Sequence, residues 1–243
     1  AASYFAGFAV LLIAFLLVES RIFNPMLDLS LVRKRVFSAA LASSVLSFQA
    51  NAGTTFLQPF FLAVVLGLDT PGVGLVMTAS PATIILVAPF SGWLSDRLGS
   101  RWLSSAGLCL STSALVMLSG LGPDAEPRDV AMRLVVMGLG VGLFQAPNNN
   151  SIMGSVSRDK LGTAAGMLAT MRNLGQALGV AIAGAAYTTR LSHHTSELGS
   201  APSQAAAVGA SAAAFHDALL ITATLVSIGI FTSFVRGHDR PKR

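Results

Sequence analysis

Five residues of one apolar stretch carry hydrogen-bonding groups at helical spacing: Ser43, Ser47, Asn51, Thr54 and Gln58. At about 100° per residue they fall within roughly 80° of arc, one polar stripe on an otherwise greasy rod. Such groups recognise by hydrogen bonding rather than by transferring charge. In an apolar setting each costs free energy unless it meets a partner or a water-filled cavity. Two uses stay open for the stripe: bonding a neighbouring helix, or lining an aqueous path. Asn51 and Gln58 are the costly members and the candidate path residues. A second cluster reads Gln145, Pro147, Asn148, Asn149 and Asn150. Three consecutive amides spread over about 200°, so no single helix orientation hides them all. Pro147 removes a backbone donor and loosens the helix beside them. Gln145 with Asn148 or Asn149 is therefore either part of a path or a polar clamp. Arg172 stands alone among apolar neighbours, with Asn173 and Gln176 close by. An unpartnered cation at that depth costs at least about 3 kcal/mol, so it is expected to face the protein interior.

Catalysis has no comparable set of residues. The four histidines, His193, His194, His216 and His238, lie outside the apolar blocks or at their ends, with no His-Glu-x-x-His motif and no paired carboxylates. His193 and His194 read as part of a solvated loop rather than as metal ligands. Neither a metal nor a cofactor is expected, and a membrane enzyme is disfavoured. Of the acidic residues, Asp217 beside His216 is the one candidate for titration, placed at the external end of the last helix.

The elements that must position these groups follow from composition. Only 11% of the 243 residues are charged while 53% are hydrophobic. A soluble domain carries roughly 25% charged residues, and so apolar a chain would not stay open in water. The partner it requires is a lipid bilayer. Blocks without Asp, Glu, Lys or Arg run over 1–18, 36–68, 70–95, 102–123, 134–157 and 218–235, and 161–189 is broken only by Arg172. Each is near or above the roughly 20 residues needed to cross the hydrocarbon, and none alternates as a barrel strand does. The reading is an all-α polytopic membrane protein of about seven helices. Of the sixteen basic residues, twelve lie on one side: Arg21, Arg33, Lys34, Arg35, Arg97, Arg101, Arg158, Lys160, Arg236, Arg240, Lys242 and Arg243. The positive-inside rule makes that side, and the C-terminus, cytoplasmic. Basic loops beside an anionic leaflet account for the net charge of +5, without a nucleic-acid partner. The segment 190–204, rich in Ser, His and Gly, reads as a flexible external loop. Gly138 and Gly142, Gly162 and Gly166, and Gly175 and Gly179 are pairs that let helix backbones approach.

One connection has a specific pattern: Gly92-Trp93-Leu94-Ser95-Asp96-Arg97-Leu98-Gly99-Ser100-Arg101. Its carboxylate and two guanidiniums suit a compact charge cluster that breaks and remakes. The stretch resembles the signature cytoplasmic loop of the major facilitator superfamily, Gly-x-Leu-Ala-Asp-Arg-x-Gly-Arg-Arg or Lys, with Ser100 in place of a basic residue. Asn24-Pro25-Met26-Leu27-Asp28-Leu29, and Gly166 through Arg172-Asn173-Leu174-Gly175-Gln176-Ala177-Leu178-Gly179, resemble its fourteen-helix drug:proton antiporter branch.

The resemblance implies residues 1–18 as the second linker helix, 19–35 as a cytoplasmic connection, 36–235 as the C-terminal six-helix half, and 236–243 as a basic tail. It implies alternating access in the cell membrane, with Gly92, Asp96, Arg97, Gly99 and Arg101 as the conformational-switch loop. The substrate would be a small lipophilic molecule, the energy source a proton gradient, and the partner an N-terminal half outside this chain. That half would carry the coupling carboxylate. Uptake of sugars or organic anions by the same fold, or an inactive fragment, are the alternatives.

Overall fold

A computed structural model describes residues 29–198 and 203–234, which form a bundle of six long helices and no strand. The predicted linker helix, most of the connection after it and the basic tail lie outside the described residues. After a single turn, Leu29–Val32, α1 runs over Arg35–Phe60 and continues as a π-helical turn, Phe61–Val65. Helix α2 spans Thr70–Leu98, α3 Ser100–Ser119, α4 Pro127–Gly154, α5 Leu161–Glu197 and α6 Gln204–Phe234. The shortest has 20 residues, about 30 Å at 1.5 Å per residue and enough to cross the hydrocarbon core. By length and apolarity α2, α3, α4 and the Gln204–Ile230 part of α6 qualify outright as membrane spans. Helices α1 and α5 carry the polar residues singled out above.

Local signals set the helix ends. Asp69 accepts from the Gly72 amide at 3.1 Å and Pro71 sits in the first turn of α2. Glu126 and Asp129 form a capping box ahead of α4, with Pro127 in its first turn. Gly99 alone separates α2 from α3 at φ +86°, a conformation that suits glycine. Two expectations are corrected at the far end. Helix α5 continues through Glu197, and α6 begins at Gln204, so residues 190–197 of the expected loop are helical. Side-chain bonds explain the extension: Thr195 Oγ1 donates to the Leu191 carbonyl at 2.7 Å, and His193 meets Glu197 one turn on.

The basic connections gather at one end. Lys34 Nζ donates to the Ser155 carbonyl at 3.1 Å, and Ser151 to Ser100 at 2.6 Å. The Ser157 hydroxyl, with Lys160 and Lys34 beside it, holds the exposed Asp159 carboxyl below its ordinary value.

Packing is ordered by close backbone approach. Helix α1 lies along α5 as α4 lies along α2, and α3 meets α4 as α6 meets α1. Exchanging the first three helices for the last three maps these contacts onto one another. With three helices per unit, the units traverse the membrane in opposite directions, an inverted repeat. At the α1–α5 crossing a Cβ added to Gly175 would sit 2.5 Å from the Val45 carbonyl oxygen, and one at Gly179 would collide with the Gln49 backbone. At α2–α4, Gly138 would meet the Ser80 carbonyl at 2.6 Å; at α3–α4, Gly107 would meet the Gly140 carbonyl at 2.7 Å. Gly162 and Gly166 face open space among the described residues. Of the three predicted pairs, two make close crossings.

Gly179→Leu in the full-length protein is therefore expected to cost at least about 1–3 kcal/mol, the range for overpacking. Gly209→Leu, where an added Cβ meets nothing within 4 Å, should stay within about 0.5 kcal/mol. Thermal unfolding in detergent measures both.

Candidate functional site

Helices α1, α4 and α5 enclose a cleft of about 470 Å³. Helix α1 contributes Phe48, Asn51, Ala52, Thr55 and Phe56, which recur every three or four residues on one face. Helix α4 contributes Gln145, and α5 contributes Gln176 and Val180. Thr55 Oγ1 lies 3.4 Å from Asn51 Oδ1 and donates to it, which leaves the Asn51 amide N–H groups for a ligand. Three carboxamides from three helices thus share one cleft with two phenyl rings of α1, and no charged side chain is in the lining. Such a site can stack on a flat apolar molecule and read its donors and acceptors.

The predicted path residues divide. Asn51 and Gln145 meet in the cleft. Asn148 turns into the bundle, where it is 1% exposed and its Nδ2 donates to Ser44 Oγ at 2.6 Å. It clamps α4 to α1. Asn149 and Asn150 are exposed on the other side of that turn. Gln58 is 1% exposed, away from the cleft, and its amide has no hydrogen-bond partner among the described residues. Ser43, Ser47 and Thr54 are also buried, and Ser43 and Thr54 donate to carbonyls four residues back. Most of the stripe therefore faces neighbouring helices, and Asn51 alone reaches the opening.

Arg172 does not face the interior of the six-helix bundle. Its side chain is exposed and has no partner among the described residues. It stands one helical turn before Gln176, on the face of α5 that borders the cleft. Phe48, Thr55 and Phe56 are lining residues that the stripe passed over, and their three- and four-residue spacing on α1 was the available signal. Gln176 of α5 had been noted only as a companion of Arg172.

At the basic end, the expected charge cluster is not formed among the described residues. Arg97 lies over the Trp93 ring, 4.0 Å from its centroid, and Arg101 is 5.9 Å from the Trp102 ring. Asp96 is exposed and unpaired among the described residues, and Gly92 faces open space. The loop's carboxylate is thus free to bond something outside the bundle.

The opposite end holds the second departure. Asp217 is not at a wetted helix end: it lies well inside α6 and bonds across to α5. His194 Nε2 is 3.0 Å from Asp217 Oδ2, and Arg190 Nε is 3.7 Å from the same oxygen. His216 Nδ1 meets the Ser119 carbonyl at 2.9 Å instead.

Comparison with known proteins adds the family. The profile described as Major Facilitator Superfamily matches residues 2–180 and 39–217. The chain is 33% identical over 192 residues to riboflavin transporter RibZ of Clostridioides difficile, covering 78% of this chain and 42% of that one. It is 33% identical over 181 residues to multidrug resistance protein Stp of Mycobacterium tuberculosis, covering 73% of this chain and 33% of that one. It therefore spans less than half the length of these curated relatives. Among solved structures, a bacterial homologue of the human drug peptide transporters PepT1 and PepT2 shares the fold with a TM-score of 0.70 at 16% identity, over 85% of this chain and 44% of that one. The profile match, the six-helix inverted repeat and the Gly92–Arg101 loop agree on one family, and the chain belongs to the Major Facilitator Superfamily.

Proposed function

We propose that this chain is the C-terminal portion of a proton-coupled exporter of small lipophilic molecules, and that the α1–α4–α5 cleft is its share of the substrate path. The carrying observation is the cleft's lining: three uncharged carboxamides beside two phenyl rings, in a cleft open to the surface of the bundle. Alternating access needs a site at the contact of two halves that is exposed to each side in turn. A half-cleft of this kind becomes a full site when an N-terminal half covers it. Stp and RibZ, named for drug resistance and for riboflavin, support small organic molecules as the cargo class. The peptide-transporter likeness speaks for the fold alone.

Each remaining group has a place in that reading. Arg172 borders the cleft and meets either an anionic group of the cargo or a carbonyl of the other half. Asp96 and the open face at Gly92 contact the other half in one of the two states. None of the acidic residues among the described ones lines the cleft, so the carboxylate that exchanges protons belongs to the N-terminal half. The protein sits in the cell membrane with the Lys34, Arg97 and Lys160 end in the cytoplasm.

Vesicles holding the full-length protein and acidified inside should take up a lipophilic dye and lose their pH gradient together; uptake indifferent to the gradient contradicts proton coupling. Asn51→Ala, Gln145→Ala and Gln176→Ala should each raise KM about tenfold, the loss of one hydrogen bond to cargo. Asn148→Ala should instead cost about 1–3 kcal/mol of stability and leave KM unchanged. Equal KM effects at all four positions would contradict the division between cleft and clamp.

A further inference from the structure

We propose that the last turns of α5 form a binding site for a transition-metal dication of the Zn²⁺ class, with His193, His194 and Glu197 as ligands and Asp217 of α6 orienting His194. The ligand atoms of the three residues all lie within 4.8 Å of one another. His193 Nδ1 is 3.5 Å from Glu197 Oε1, and His194 Nδ1 is 3.9 Å from Glu197 Oε2. Tetrahedral zinc with bonds of about 2.0–2.2 Å places its ligands about 3.3–3.5 Å apart. Closing the site therefore takes about an ångström of side-chain movement at its widest pair, most of it available to the exposed His193 and Glu197.

His194 supplies the independent argument. Both of its ring nitrogens face a carboxylate: Nε2 meets Asp217 Oδ2 at 3.0 Å, and Nδ1 faces Glu197. The 3.0 Å contact ties Nε2 to Asp217, so Nδ1 is the ring nitrogen left on the side of His193 and Glu197. A metal there completes the carboxylate–histidine–metal arrangement, in which the outer carboxylate fixes the tautomer and raises the basicity of the ring. Arg190, 3.7 Å from the same Asp217 oxygen, balances the outer carboxylate. The ion would then answer the charge of Glu197 alone.

Access and selectivity follow from exposure and ligand type. The side chains of His193 and Glu197 are 60% and 63% exposed, while His194 is 26% exposed. An ion reaches the site from solvent, and water fills the remaining coordination position. Two imidazoles favour Zn²⁺, Ni²⁺ or Cu²⁺ over Mg²⁺ or Ca²⁺. His216 is engaged with the Ser119 carbonyl and contributes no ligand. Through Asp217 the ion would tie the end of α5 to the middle of α6.

The test is Zn²⁺ titration by calorimetry of the untagged full-length protein in detergent at fixed pH. A Cys109→Ala background removes the exposed thiol. One saturable site is expected, unaffected by millimolar Mg²⁺, together with a Zn²⁺-dependent rise in the thermal midpoint. His194→Ala and Glu197→Gln should weaken binding at least tenfold. Asp217→Asn, which removes no ligand, should weaken it about 10- to 100-fold, and His216→Ala should change nothing. If Asp217→Asn fails to fold, His193→Ala, at an exposed position, tests the ligand set instead and should weaken binding at least tenfold. No saturable site, or binding unchanged by His194→Ala and Glu197→Gln, overturns the proposal.

Discussion

Helices in a bilayer gain little from hiding apolar surface, since lipid tails are as apolar as leucine, so close van der Waals packing must hold them together. In this bundle that packing depends on positions where a side chain is missing. Gly175 and Gly179 let α5 rest on the backbone of α1 at Val45 and Gln49; Gly138 does the same for α4 on α2 at Ser80, with Gly142 against the Val87 side chain. Gly107 and Gly140 bring α3 onto α4. The two equivalent crossings, α1 on α5 and α4 on α2, are the pair that an inverted repeat relates. Their closeness sets how far apart α1, α4 and α5 stand, and hence the width of the cleft between them.

Polar groups then sort by what close packing leaves to them. Where helices touch, hydroxyls turn back onto their own carbonyls or bond across, as Asn148 does to Ser44 and Ser91 to the Gly142 carbonyl. Where the helices splay, Asn51, Gln145 and Gln176 keep unused hydrogen-bonding capacity. Recognition is thus assigned to residues that packing did not consume. The same division explains the charges. Arg97 rests on Trp93 and Arg133 bonds the Met117 carbonyl, whereas Asp96 and Arg172 stay open toward what lies beyond the bundle.

Much of this was legible in the sequence, for identifiable reasons. Blocks with no charge, or in α5 with Arg172 alone, located all six described helices, because a charge at membrane depth is too costly to scatter. Ends were less legible. Arg190, His193, His194 and Glu197 read as loop by composition, yet their three- and four-residue spacing continues α5, and the partner that steadies His194 is on another helix. The stripe on α1 was visible as a period, but a period does not say which helix covers it; Ser43, Ser47, Thr54 and Gln58 went to neighbours and Asn51 to the cleft. Asn148 and Asn149 are about 100° apart, so only the rotation of α4, set at its glycine crossings, decides which one clamps. Gln176 was noted only as a companion of Arg172, because the cost argument dwelt on that residue's charge. Apolar lining such as Phe48 and Phe56 carries no such cost to reveal it.

The central claim is that the α1–α4–α5 cleft, and not the whole polar stripe, is this half's part of the substrate path. Thiol labelling tests it most directly: single cysteines at 51, 145, 176, 58 and 148 in a Cys109-free full-length protein, treated with a membrane-impermeant reagent with and without substrate. The account predicts labelling at 51, 145 and 176 that substrate suppresses, and none at 58 or 148. Labelling at 58 and 148 equal to that at 51, or a uniform lack of labelling at 51, 145 and 176, would contradict it.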